Sequence, residues 1–144
     1  MRVGRSWIIG IFGAILLISG VSIYTWYGLD KTPPPRIEII PDSHDFGVVP
    51  YRAVAKYFTL KNRGGSLLRI TGLSTSCGCT EATVEKEELL PGEETRLLVT
   101  FDPNLMSEPV VGKIYRVVYV TTNDPSLPEA EIEIRATVEE GGES

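Results

Sequence analysis

The sequence predicts an all-β domain, an immunoglobulin-like β-sandwich of seven to eight strands, preceded by one transmembrane helix. Three observations carry this expectation. Residues 36–139 break into short β-branched segments, with turn signals about every 8–12 residues as in a sandwich. Glu131–Val138 alternates without a fault: Ile132, Ile134, Ala136 and Val138 share one face, and Glu131, Glu133, Arg135 and Thr137 the other. Ahead of the strands, Trp7 to Tyr27 is an uncharged apolar run.

Residues 1–6 hold Arg2 and Arg5, and residues 7–27 follow as the membrane segment. A helix of that length spans about 31 Å at ~1.5 Å per residue, matching a bilayer core of roughly 30 Å. Trp7 lies at one end, and Tyr24, Trp26 and Tyr27 at the other, where amphipathic rings favour the interface. The arginines predict a cytoplasmic N-terminus and an extracytoplasmic C-terminal domain: a single-pass protein of the cell membrane, held as a signal anchor. The alternative is a cleaved signal peptide, whose apolar part is usually about 7–15 residues and ends in small residues. Tyr-Thr-Trp-Tyr is a poor cleavage site, and both alternatives export the domain.

Residues 28–35 end in three prolines, which favour a stiff polyproline II spacer. The domain over residues 36–139 begins with a short strand, Arg36–Ile40, then a second around Asp45–Pro50, limited by its glycine and proline. In Ala53–Asn62, Val54, Phe58 and Leu60 share a face, with Lys56 the exception, and Arg63–Ser66 supplies a turn. Leu67–Thr75 keeps Leu68 and Ile70 in phase and shifts Leu73 by one, so a bulge is expected at Gly72. Glu81–Lys86 is weaker, and Pro91-Gly92 suits the centre of a type II turn. Thr95–Phe101 places Leu97, Val99 and Phe101 on one side. Ile114–Thr122 is apolar on both faces, as in a central strand, and Asn123-Asp124-Pro125 ends it. Residues 140–144 are an acidic, glycine-containing tail.

The candidate site is Ser76-Cys77-Gly78-Cys79-Thr80, which holds both cysteines of the 144-residue chain. In a straight strand, residues i and i+2 share a face with Cα atoms about 6.6 Å apart, slightly too far for a disulfide at roughly 5.5–6 Å. Gly78 removes that obstacle, because it can take a positive φ and fold the backbone so that Cys77 and Cys79 approach. The spacing permits a small-ring disulfide, two free thiols or a two-thiolate metal site. A three-residue ring adds only about 1.6 kcal/mol by loop entropy, so the pair is not needed to hold the fold. Two thiolates suit a soft ion such as copper(I), and with His44 they make at most three ligands, short of tetrahedral zinc. Outside the cytoplasm, a disulfide is the default state of such a pair.

The formal net charge is −5; without Arg2, Arg5 and Asp30 the remainder holds 12 basic and 18 acidic residues, or −6. No basic patch with interleaved aromatics exists, which argues against nucleic acid, and nothing favours an anionic lipid surface. His44 is the one histidine, beside Asp45 in what reads as a loop. Nucleophile-elbow, zinc-protease and phosphate-loop motifs are absent, so no catalytic residue and no cofactor are implied. Asp45-Phe46-Gly47 mimics the kinase metal triplet without the other kinase motifs.

Six landmarks in order then resemble the bacterial family called domain of unknown function 1573. They are His44-Asp45-Phe46-Gly47-Val48-Val49, Tyr57–Asn62 with Gly64, Ser76–Thr80, Pro91-Gly92-Glu93, Val99–Asp102 and Thr122–Pro125. The resemblance covers about residues 37–138. It implies a sandwich akin to Hydin-type domains on exported or membrane-attached bacterial proteins, and it supplies no reaction. Tyr51 departs from it, since members often carry glycine near that position. The function expected is a membrane-anchored extracytoplasmic interaction module whose partner is an envelope protein. The alternative is a thiol redox or soft-metal site at Cys77 and Cys79.

Overall fold

The structure is a computed structural model that describes residues 32–106 and 111–139. Two sheets face each other. One is ordered β1-β3-β7-β5, from β1 (Ile37–Ile40), β3 (Val54–Asn62), β7 (Glu94–Phe101) and β5 (Thr80–Val84). The other is ordered β2-β9-β8-β4-β6, from β2 (Ser43–Val49), β9 (Glu129–Val138), β8 (Gly112–Thr122), β4 (Leu68–Thr75) and β6 (Glu88–Leu89). That makes nine strands among the described residues, against the seven to eight expected. The addition is β6, whose two residues are too short to show a period. A 3₁₀ turn covers Pro103–Leu105.

Alternation puts the core where the pattern predicts it. Phe58, Leu60, Leu97, Val99, Phe101, Val118, Val120, Ile132 and Ile134 are all at most 1% exposed. Strand β8 is central in its sheet, and its outward Val117 is buried along with inward Ile114, Val118 and Val120. The ladder shifts between Ile70 and Gly72, where the bulge is expected. Gly92 has φ +81° in the turn that joins β6 to β7, closed by the Glu93 N–H to the Leu90 carbonyl at 2.9 Å.

Strand β2 lies parallel to β9, with His44 opposite Ile134, and its register shifts between Asp45 and Val48. Gly47 at φ +70° makes that shift possible, and its N–H donates to Asp45 Oδ1 at 2.7 Å. The Asp-Phe-Gly triplet is therefore a bulge.

The two ends of the sandwich differ. At one, Pro33–Pro35 lie on Gly64 and Gly65; a Cβ on Gly64 would stand 2.2 Å from the Pro34 carbonyl oxygen. Ser66 Oγ donates to the Pro33 carbonyl at 2.7 Å, and Arg63 N–H to the Arg36 carbonyl at 2.7 Å. The last spacer residues are thus packed on the domain. Buried Asn62 closes the same end, its Nδ2 donating to the Ser66 and Leu89 carbonyls. At the other end, β3 and β5 start, β7 finishes and the cysteine turn sits.

Among the described residues, no helix is long and apolar enough to cross a membrane. The expected anchor over residues 7–27 and the tail over 140–144 lie outside them.

Candidate functional site

Strand β4 belongs to one sheet and β5 to the other, so Ser76–Cys79 is a crossover between the two layers. Ser76 still pairs with β8: its N–H donates to the Val117 carbonyl at 2.9 Å, and its Oγ accepts the Val117 N–H at 3.0 Å. The chain then turns, closed by the Thr80 N–H to the Cys77 carbonyl at 3.3 Å. Thr75 Oγ1 braces the turn from inside, reaching the carbonyls of Cys77 and Thr80 at 2.9 and 3.0 Å. The Asp102 N–H donates to the Cys79 carbonyl at 2.9 Å and fastens the turn to the end of β7.

This geometry brings the Cys77 and Cys79 Cα atoms to 5.3 Å, and the sulfurs are joined as a disulfide. The approach does not come from a positive φ at Gly78, as the spacing suggested. Positive φ occurs at Gly47, Gly92 and Gly112 among the described residues, and not at Gly78. A four-residue reversal with negative φ at both central positions folds the chain enough to shorten the straight-strand separation.

The two sulfurs are unequal. Cys79 is 3% exposed and belongs to the core, whereas Cys77 is half-buried at its rim. Both meet the same cation: Arg116 Nε–H donates to Cys77 Sγ at 3.2 Å and to Cys79 Sγ at 3.4 Å. A second nitrogen of that guanidinium is held by the Tyr115 carbonyl at 2.7 Å. The Cys79 N–H is a second donor to sulfur, 3.3 Å from Cys77 Sγ, and Thr80 Oγ1 lies 3.6 and 3.9 Å from the two sulfurs.

Arg116 is the residue that a search for motifs misses. Its signal is phase: it shares the inward face of β8 with Ile114, Val118 and Val120, where a charge needs a reason.

His44 stands elsewhere. It lies within β2 and not in a loop, half-buried, with its ring edge-on to Phe46 at 4.8 Å. In the ladder His44 faces Ile134, which faces Arg116, so two strand spacings of about 4.8 Å each separate it from the arginine. Burial pushes its pKa below the ordinary histidine value, Lys56 lowers it further, and Asp45 opposes both. Among the described residues no three His, Cys, Asp or Glu side chains come together as metal ligands. A guanidinium against both sulfurs also opposes a second cation there.

Residues 37–138 match the model of a family described as protein of unknown function (DUF1573). The chain belongs to that family. The landmarks of this DUF1573 domain are largely structural: the β2 bulge, the Asn62 and Asp124 caps, and the Gly92 turn.

Among solved structures, the DUF1573 chain is similar to a protein of unknown function from Porphyromonas gingivalis W83, at 23% identity and TM-score 0.68. The match covers 76% of this chain and 49% of that one, so the chain spans about half the length of that protein. It is also similar to the ASH/PapD-like domain 7 of human CEP192, at 13% identity and TM-score 0.53, covering 73% of this chain and 86% of that one. The Vibrio cholerae VesB protease matches at 16% identity and TM-score 0.53, over 83% of this chain and 36% of the protease. At these identities the likeness is one of fold. No curated protein matches the chain.

Proposed function

We propose that this DUF1573 protein is a membrane-tethered, extracytoplasmic interaction module of immunoglobulin-like type, carrying no conventional catalytic machinery. The observation that carries this reading is the polarity of the sandwich. The spacer enters at the Asn62 end, packed on Gly64 and Gly65. The cysteine turn lies toward the opposite end, tied to Asp102 at the end of β7, and Leu105 in the turn that follows is 64% exposed. With Pro33–Pro35 packed over the Asn62 end, the far end is the one left for a partner, and that partner is an envelope protein. The PapD-like and ASH fold likeness supports a binding role at the level of architecture alone.

Two readouts test it in cells making the full chain. A Ser126→Cys reporter should react with a membrane-impermeant maleimide once the outer barrier is permeabilised. A photo-crosslinking residue at Leu105 should give a discrete protein adduct, and one at Leu127, exposed near the spacer end, should not. Protection of the reporter equal to a cytoplasmic control contradicts the topology, and equal adducts or none at both positions contradict the presented end.

A further inference from the structure

We infer that Arg116 makes the Cys77–Cys79 pair a thiol–disulfide exchange site, one that oxidises a protein dithiol. This goes beyond the binding role and does not depend on it.

The first support is the set of donors aimed at sulfur. A disulfide sulfur is a poor acceptor, yet Cys77 Sγ has the Arg116 Nε–H at 3.2 Å, the Cys79 N–H at 3.3 Å and Thr80 Oγ1 at 3.6 Å. These groups gain far more when the sulfur becomes a thiolate, because charge-assisted hydrogen bonds are the stronger ones. They sit on β8, on the turn and on β5, and the Tyr115 carbonyl fixes the guanidinium independently of the sulfurs. The site is therefore preorganised for the reduced, anionic form.

The second support is the other side of the equilibrium. The ring closed by the disulfide holds three residues, so it removes little entropy from the unfolded chain, and Phe58, Leu97, Val99 and Ile132 supply the core without it. A pair whose reduced form is stabilised and whose oxidised form gains little is an oxidant of other thiols. Charge elsewhere around the turn does not cancel Arg116. Glu81 on β5 is exposed, and the Asp102 carboxylate accepts the Asn104 N–H and Nδ2 at 2.9 and 2.8 Å.

The exposure of the two sulfurs orders the steps. A partner thiolate attacks half-buried Cys77 Sγ; the Sγ–Sγ bond breaks and its electron pair passes to Cys79 Sγ, a thiolate beside Arg116. The partner's second thiolate then attacks the partner sulfur of the mixed disulfide. That closes the partner's own disulfide and returns the pair of electrons to Cys77 Sγ. The partner dithiol loses two electrons and two protons. The domain gains the electrons; one proton settles on the pair, and the other goes to water because one sulfur stays anionic.

The test uses the full chain in mild detergent, with glutathione buffers and iodoacetamide as probes. In reduced wild type, the first thiol should alkylate with a midpoint at least one pH unit below the ordinary thiol value of about 8.5. Arg116→Gln should raise that midpoint, slow alkylation at pH 6 by about tenfold, and shift the glutathione equilibrium about tenfold toward the disulfide. A purely structural arginine would change the melting temperature and leave both readouts unmoved. A wild-type midpoint at the ordinary value overturns the inference without recourse to any variant. So does an Arg116→Gln protein whose midpoint and equilibrium match wild type.

Discussion

The carboxylate of Asp124 accepts the backbone N–H of Ile37 at 2.9 Å, joining the loop after β8 to the start of β1 across 87 positions. Asp124 is 1% exposed, and its other oxygen accepts the N–H groups of Ser126 and Leu127 at 2.8 and 3.3 Å. Asp124→Ala leaves those donors without a partner, one of them in a dry place. A loss of about 1–3 kcal/mol is expected, read as a lower urea midpoint at unchanged slope. An unmoved midpoint would mean that water replaces the carboxylate at no cost.

Core and surface positions on the strands should separate sharply. Phe101 is fully buried at the end of β7, so Phe101→Ala should cost about 3–5 kcal/mol. Glu133 pairs with Arg135 on the exposed face, and Glu133→Gln should change stability by less than about 0.5 kcal/mol. Equal effects of the two changes would contradict the strand phases.

The glycines at the two ends carry opposite expectations. An added Cβ at Gly64 meets backbone atoms of Pro34, Pro35 and Arg36 at 2.2–2.6 Å, so Gly64→Ala must displace the spacer. A cost of about 1–3 kcal/mol follows from such overpacking. Gly78 has open space around it and no positive φ, so Gly78→Ala should stay within about 0.5 kcal/mol. If chemical denaturation ranks Gly78→Ala as the more damaging, the turn is not the one described.

Much of this was legible in the sequence, for a definable reason. Where one face is buried and the other wet, as in Thr95–Phe101 and Glu131–Val138, alternation reports burial directly. Alternation says which face is buried but not which strand is the neighbour, so the parallel pairing of β2 with β9 was invisible. Gly78 misled because a glycine between two cysteines suggests a left-handed turn, while Thr75 and Asp102 hold the reversal without one. Arg116 was hidden inside a run read only as apolar. Its partners are 37 and 39 positions away, beyond the reach of any local motif.

Acid should act on the turn between β6 and β7. Glu93 is held below the ordinary carboxylate value, first by its hydrogen bond from Lys86 and then by the Leu90 N–H. A lowered folded-state pKa means that its contribution is present above the unfolded value and lost as pH falls through the folded one. Lys86→Ala should therefore raise the Glu93 titration midpoint seen by NMR. A midpoint that stays put would assign the shift to the backbone donor alone.

The measurement that bears most directly on the account is the intact mass of the full chain, extracted from the membranes of the cells that make it. Extraction is anaerobic, with excess alkylating agent and no reductant. An exported domain whose Cys77 and Cys79 close within the turn between β4 and β5 should carry no alkyl group until a reductant is added, and two afterwards. The double change Cys77→Ser, Cys79→Ser should still fold, losing no more than about 2 kcal/mol. Two alkyl groups on every molecule before reduction would contradict the closed pair.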